Sequence, residues 1–331
     1  MKPEPALLLS RSEVAQLLTM PECIEAVEKM FRLLGEGELP APGILGIKSE
    51  RGGLHIKAGL LPGERDYIVA KLNTNFPDNR AKHDLPTIQG LIVVCDGLNG
   101  RPLAVLDSID ITIKRTAAAS AVAAKYLARR DSSVATICGC GQQAAAQLRA
   151  ICAVLSLKRI FAFDSDQPAA DRFAKVLAKE LGLAIESASD LPSALKASDV
   201  CITCTTATEF FVRLEDAPPG MFIAAVGADD SHKQEIDPAL IASAKVVADS
   251  LEQSCTIGDT HHAIAGGLMR REDVYAELSE IVAGRKPGRT AAGEIFVFDS
   301  TGIALEDAVA AVAVYEKACG SAAALKFDFA A

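Results

Sequence analysis

The chain has 331 residues, half of them apolar and 23% charged, with a net charge of −9. That length suffices for two domains or one large α/β unit with an ample core. The acidic balance argues against nucleic acid as the main partner, which would need a basic footprint, and no apolar run reaches the roughly 18 residues of a membrane span.

The first residues show no basic segment followed by an apolar one, so no signal peptide is expected. The nine cysteines mostly sit inside apolar runs, as small core residues do in a reducing compartment, which points to the cytoplasm. Cys201-Ile-Thr-Cys204 has the spacing of a zinc knuckle. It lies in a strand-like run, however, where residues three apart face opposite ways, so no metal site is expected.

In chain order, residues 12–35 read as two helices broken at Pro21. Ile24, Val27, Met30, Phe31 and Leu34 share one face of the second, and Gly35 and Gly37 stop it. Short β-type runs follow at Ile44–Ile47, Leu54–Ala58, Tyr67–Leu72, Ile88–Val94 and Leu103–Leu106, which suggests an antiparallel sheet or barrel. Residues 116–130 form an alanine-rich helix. From Val134 strands and helices alternate, through Val134–Cys138, Gln143–Leu155, Ile160–Phe163, Ala169–Leu181, Val200–Thr205, Met221–Val226 and Val246–Asp249. That is the rhythm of a doubly wound parallel sheet. Residues 256–293 are helical and turn-rich, Ile295–Phe298 is a last strand, and a closing helix, Leu305–Ala318, carries Leu305, Val309 and Val312 on one face.

The most informative stretch is the strand Val134–Cys138 followed by Gly139-Cys140-Gly141-Gln142-Gln143-Ala144. A strand, a glycine turn and a helix N-terminus make a socket for a pyrophosphate. Asp164 closes the next strand, where a carboxylate accepts from a ribose 2′-hydroxyl and repels a 2′-phosphate, so NAD is expected over NADP. Arg115 precedes the alanine-rich helix and could clamp a carboxylate or phosphate near its N-terminus, or be a solvated surface arginine. Lys57 and Lys71 each lie within an apolar strand, which is costly unless the ammonium is paired or faces water. Asp229 follows a strand and a glycine turn, as either a ligand-edge carboxylate or a turn initiator. Asp299-Ser300-Thr301-Gly302 has the same form, with the N-cap of the last helix as the strong alternative. His261-His262 diverge on a helix and suggest no metal pair.

These pieces resemble the ornithine cyclodeaminase/μ-crystallin family. The likeness runs in order through Lys71-Leu-Asn-Thr-Asn75-Phe-Pro77-Asp-Asn79, Leu85-Pro86-Thr87-Ile-Gln-Gly90, Ile113-Lys-Arg115-Thr116, Gly139-Cys-Gly141, Val226-Gly227-Ala-Asp229, Gly284-Arg-Lys-Pro-Gly288-Arg and Phe298-Asp299-Ser300-Thr-Gly302. The resemblance implies a Rossmann-type doubly wound sheet, residues 116–303, inserted in an α+β substrate and dimerisation domain made of residues 1–115 and 304–331. It implies a homodimer whose first domains join into a shared barrel. It assigns Lys71 and Arg115 to the substrate carboxylate, and Asp229 to the amine or water chemistry of cyclodeaminases. The dinucleotide site is assigned Gly139, Gly141, Gln142, Asp164, Thr87, Thr116, Thr205, Gly227 and Ser300. One departure matters: Pro40-Ala41-Pro42-Gly43-Ile44 lacks the arginine that members often carry there, and Lys57 is the candidate replacement.

The expected activity is therefore hydride transfer between a nicotinamide and C2 of a small α-imino or α-amino acid. Lys71 or Asp229 would handle the proton on nitrogen. The missing arginine favours a ketimine reductase of the Δ1-pyrroline-2-carboxylate type. Ornithine cyclodeaminase and alanine dehydrogenase are variants on the same parts, and a non-catalytic NAD(P)H-binding protein is the reading from another class.

Overall fold

The structure is a computed structural model describing residues 5–320 and 324–329. It divides into two compact units, Met1–Arg115 with Ile303–Ala331, and Thr116–Gly302.

The first unit opens with β1 (Ala6–Leu9), α1 (Arg11–Leu17) and α2 (Met20–Glu36). Pro21 sits in the first turn of α2, where its missing N–H costs nothing. Glu22 closes a capping box by accepting from Thr19 N at 3.0 Å. Gly35 continues the helix as a buried residue, so Gly37 alone ends it, in the left-handed conformation at φ +83°. β2 (Gly43–Ser49), β3 (Gly52–Leu61), β4 (Tyr67–Asn75), the short α3 (Asn79–His83), β5 (Ile88–Asp96) and β6 (Pro102–Asp107) then build an antiparallel meander. β1 extends it by pairing parallel to β6. The sequence reading missed β1, whose partner lies almost a hundred residues away.

α4 (Ile109–Leu127) contains the boundary between the units. The second unit is strand–helix alternation: β7 (Val134–Cys138), α5 (Gln142–Val154), β8 (Arg159–Phe163), α6 (Gln167–Leu181), β9 (Ala184–Ser187), α7 (Leu191–Lys196), β10 (Val200–Thr203), β11 (Phe222–Ala225), α8 (Pro238–Ser243), β12 (Lys245–Ala248), α9 (Leu251–Ile257), α10 (Asp259–Ala265), β13 (Ala276–Glu277), α11 (Leu278–Val282) and β14 (Phe296–Asp299). All pairings in this sheet are parallel, in the order β13-β12-β14-β11-β10-β7-β8-β9. The chain winds outward from β7 through β8 to β9, then returns to β10 on the other side of β7. That reversal is the switch point where doubly wound sheets hold ligands. Strands buried on both faces, such as β10 and β11, read as continuous apolar runs for this reason.

α12 (Ala304–Cys319) and β15 (Leu325–Phe327) return to the first unit, β15 pairing antiparallel with β1. The N-terminal half of α12 is buried almost all round, and it packs on β3 and β4. The expected stripe of Leu305, Val309 and Val312 is only partly right: Leu305 is buried, but the two valines are half-buried. Ala304, Ala308, Ala310 and Ala311 keep this helix slim enough to be surrounded, and Glu306 and Asp307 are buried with them.

Candidate active site

The alternation of β3 and β4 decides what faces α12. Lys57 and Lys71 are direct cross-strand partners, so both side chains leave the sheet on one face. Gly59 and Val69, two residues along each strand, are a second such pair, and a Cβ on Gly59 would press on Leu305 of α12. The lysines therefore point toward α12, away from the sheet's other face.

Arg115 meets them from α4. This helix begins at Ile109, about two turns before the alanine-rich stretch, which corrects the expectation that Arg115 lies at a helix N-terminus. Asp107 starts the helix by accepting from Ile109 N at 3.0 Å, and an Asp110–Lys114 ion pair at 2.8 Å spans its first turn. Arg115 is thus in the second turn, buried, with no share of the helix dipole. Its Nε donates to Asp307 Oδ1 at 2.9 Å and its Nη1 to Glu306 Oε2 at 2.8 Å. Lys71 Nζ lies 2.5 Å from Asp307 Oδ2 and donates to Thr112 Oγ1 at 3.4 Å.

Five ionisable groups are thereby gathered in the first unit: Lys57, Lys71, Arg115, Glu306 and Asp307. Burial drives the Lys71 ammonium down to about 8, against the pull of Asp307, and Arg115 and Lys57 push it the same way. Burial would raise Asp307, but Arg115 and Lys71 outweigh it and hold that carboxyl below its ordinary value. Glu306 goes the other way because burial outweighs Arg115. Its Oε1 is buried with no hydrogen-bond partner. Three cations against two carboxylates give the group one excess positive charge, with Lys57 half-buried and the other four groups buried. That is complementary to a single small anion.

In the second unit, Gly139 takes φ +89°, a conformation that side chains resist, and a Cβ there would crowd Cys204 O at 2.9 Å. The turn is pinned by Gly139 N donating to Phe163 O at 2.8 Å. Gly141 occupies the N-cap of α5, a Cβ on it would meet no atom within 4 Å, and the first turn holds no acid. The positive end of a 13-residue helix therefore opens on space free of protein, with Gln142 exposed as its first residue. Asp164 is drawn to the same place, accepting from Cys140 N at 2.8 Å and from Asp166 N at 2.9 Å. Helix N-terminus, glycine turn and adjacent carboxylate fit the pyrophosphate and adenosine ribose of a dinucleotide.

The other expected cofactor residues divide. Thr205 is engaged inside the protein: its N and Oγ1 both donate to Glu235 Oε1 at 2.7 Å, and its Oγ1 accepts from Ala207 N at 3.1 Å. Gly227 N donates to Glu235 Oε2 at 2.7 Å. Ser300 is buried, its N held by Ala225 O at 2.9 Å and its Oγ without a partner. Thr87 is half-buried in the loop before β5, in the first unit, and Thr116 is half-buried within α4. Asp229 is mostly exposed and paired with Lys233 Nζ at 2.5 Å. Asp299 is not the cap of the last helix, whose N-cap is Ile303. It accepts instead from Ser254 Oγ at 2.6 Å and from Thr260 N at 2.9 Å. His262 Nε2 bonds Lys233 O at 2.8 Å, and among the described residues no His, Cys, Asp or Glu group is arranged for a metal.

The sequence reading missed Glu306, Asp307, Glu235 and Asp259. Two adjacent acids inside an alanine-rich helix were the available signal for the first pair. Nothing local marks the second, because a carboxylate normally reads as surface.

A model of the family described as ornithine cyclodeaminase/mu-crystallin matches residues 4–322. The chain belongs to that family. Alanine dehydrogenase of Archaeoglobus fulgidus is 38% identical over 325 residues, covering 98% of each chain. Among solved structures, an archaeal alanine dehydrogenase dimer with bound NAD superposes with a TM-score of 0.93 at 36% identity, covering 98% of this chain and 99% of that one. The Δ1-pyrroline-2-carboxylate reductase of Thermococcus litoralis, solved with NADH and L-proline, gives 0.91 at 35% identity, covering 97% and 99%. The family's Rossmann-type α/β fold is the fold of this chain, and the chain, like these relatives, is an enzyme.

Proposed function

We propose that this enzyme is an NADH-dependent reductase of small 2-imino acids, with a cyclic ketimine of the Δ1-pyrroline-2-carboxylate type as its substrate and the corresponding amino acid as product. The observation that carries the reading is the buried group of Lys71, Arg115, Glu306 and Asp307 with the half-buried Lys57 beside it, which together carry a single excess positive charge. The Thr116–Gly302 unit holds the dinucleotide on Gly139, Gly141, Gln142 and Asp164, with Thr116, Thr205, Gly227 and Ser300 as further contacts or supports. Asp164, beside the glycine turn, supports NADH over NADPH, since a carboxylate repels a 2′-phosphate.

The residues perform three tasks. Arg115, its planar guanidinium fixed in position by its two carboxylates, orients the substrate carboxylate together with Lys57 and Lys71, and such orientation supplies much of an enzyme's rate gain. Lys71, with its value near 8, donates the proton that the substrate nitrogen gains and recovers it from solvent. Asp307 keeps that ammonium in place. When bound, the dinucleotide supplies the hydride to C2. Imine, hydride and one proton thus give the amine and oxidised cofactor.

The cyclodeaminase reading gains less support. The carboxylate it needs for a diamine substrate, Asp229, is exposed and already neutralised by Lys233. The test is NADH consumption with Δ1-pyrroline-2-carboxylate, run beside ammonia release from ornithine. Consumption with the imine is expected. Ammonia release without net cofactor turnover contradicts the proposal.

A homodimer is supported by the sheet face opposite α12. There Leu45, Ile47, Leu60, Ile68 and Leu91 stand exposed on one face, and grouped exposed apolar side chains of this kind mark interaction surfaces. A cytoplasmic setting is supported by nine cysteines that are all free. No described helix is long and apolar enough to cross a membrane.

A further inference from the structure

We propose that Glu235, which touches no ligand itself, is the positioning residue for the nicotinamide half of the dinucleotide site. The inference rests on the dinucleotide reading above. In a doubly wound sheet, the strands on one side of the switch point carry the first mononucleotide and those on the other side the second. Here the glycine turn and Asp164 follow β7 and β8, so the adenosine half belongs to that side. The nicotinamide half belongs to the carboxyl ends of β10 and β11.

Glu235 joins those two ends. Its carboxylate is fully buried, and each oxygen takes two bonds. Oε1 accepts from Thr205 N and Thr205 Oγ1, both at 2.7 Å, just beyond β10. Oε2 accepts from Gly227 N at 2.7 Å, just beyond β11, and from Thr203 Oγ1 at 2.6 Å, the last residue of β10. One rigid side chain thereby sets the distance between two loops. A Cβ at Gly227 would overlap this carboxylate, so glycine there serves the latch. The Thr205 loop is in turn packed on the glycine turn, since a Cβ on Gly139 would lie 3.1 Å from Thr205 Cγ2.

Glu235 is itself held in place. Asp259 Oδ1 accepts from Glu235 N at 2.8 Å and from Ile236 N at 3.0 Å. Asp259 N donates to Asp299 Oδ1 at 3.3 Å, at the end of β14. Three buried carboxylates thus brace the ends of β10, β11 and β14. Among the described residues no cation pairs with any of the three, and their partners are N–H and O–H groups, which fix geometry and leave the site's charge to the ligand.

The experiment uses the full chain and compares two ligands, NADH and ADP-ribose, which lacks the nicotinamide. Glu235→Gln keeps the shape but turns an amide toward a backbone N–H that needs an acceptor. It is expected to weaken NADH about tenfold while ADP-ribose affinity stays within about twofold. Thr203→Val, which removes one of the four bonds and preserves volume, is expected to shift NADH in the same direction by about threefold, and keeps the test open should Glu235→Gln fail to fold. Equal weakening of both ligands, or no change in either, overturns the positioning role. A wild-type chain that binds neither ligand overturns the dinucleotide reading, and the proposal falls with it.

Discussion

The two units bury charge in opposite ways. In the first, Lys71 and Arg115 are desolvated against Glu306 and Asp307, cation against anion at 2.5–2.9 Å. In the second, Glu235, Asp259 and Asp299 are buried with backbone amides and hydroxyls as their partners. Mixed charges with one cation in excess invite an anion to complete them. Carboxylates bonded to neutral donors, as Glu235 is at both oxygens and Asp259 at Oδ1 alone, hold backbone in place instead. The first arrangement is suited to catalysis and the second to scaffolding.

They also answer pH with opposite sign. The folded chain holds the Lys71 proton less tightly than the unfolded chain does, so from about 8 to 10.5 the unfolded state carries more protons, and this group's contribution to stability rises with pH. Burial and the neighbouring Asp299 and Glu235 raise Asp259 well above its ordinary value. Its folded form keeps a proton that the unfolded form has lost, so its contribution falls as pH rises above the ordinary carboxylate range.

Breaking the first cluster should have the largest effect. Arg115→Met leaves two buried carboxylates short of a partner, at a cost of about 3–5 kcal/mol. Thermal melting should show that loss, and kcat/KM for the imine should fall about a thousandfold or more. Next in size is the pH profile. With Lys71 as the acid, kcat/KM for imine reduction should hold below about 8 and drop about tenfold per pH unit above it, while oxidation of the amino acid rises over the same range. A profile flat through 8 in both directions would remove Lys71 from proton transfer. Asp164→Ala should shift the NADH to NADPH ratio of kcat/KM by about tenfold toward NADPH, as read from parallel assays. The smallest effect belongs to the scaffold. Asp259→Asn retains the Oδ1 acceptor for Glu235 and Ile236 and removes a group that ionises only as pH rises, so stability relative to the unchanged chain should differ by about 1 kcal/mol or less and shift in the variant's favour as pH rises. Melting curves at pH 6 and 9 would show it.

How much could be read beforehand depended on how local each feature is. The strand–helix rhythm from Val134, the glycine turn and Asp164 follow from a few adjacent residues and were legible. Lys57 and Lys71 drew attention as lysines in apolar strands, but their pairing needed the β3–β4 register. Arg115 was misplaced because Ile109-Asp110-Ile111-Thr112-Ile113 is β-branched and does not announce a helix; tertiary burial of Ile111 and the Asp110–Lys114 pair override that propensity. Glu306 and Asp307 disappeared behind an apolar stripe drawn through Leu305, Val309 and Val312. Glu235 was invisible, because its role lies in donors from residues 203, 205 and 227, which only the fold assembles.

The first unit's charge group is expected to bind one carboxylate. Inhibition of imine reduction by pyrrole-2-carboxylate and by its neutral amide tests it most directly. The carboxylate should compete with substrate and bind about a hundredfold more tightly than the amide, with that advantage largely lost in Arg115→Met. Equal inhibition by the two, or an advantage that survives Arg115→Met unchanged, would show that the charge group does not hold the substrate carboxylate.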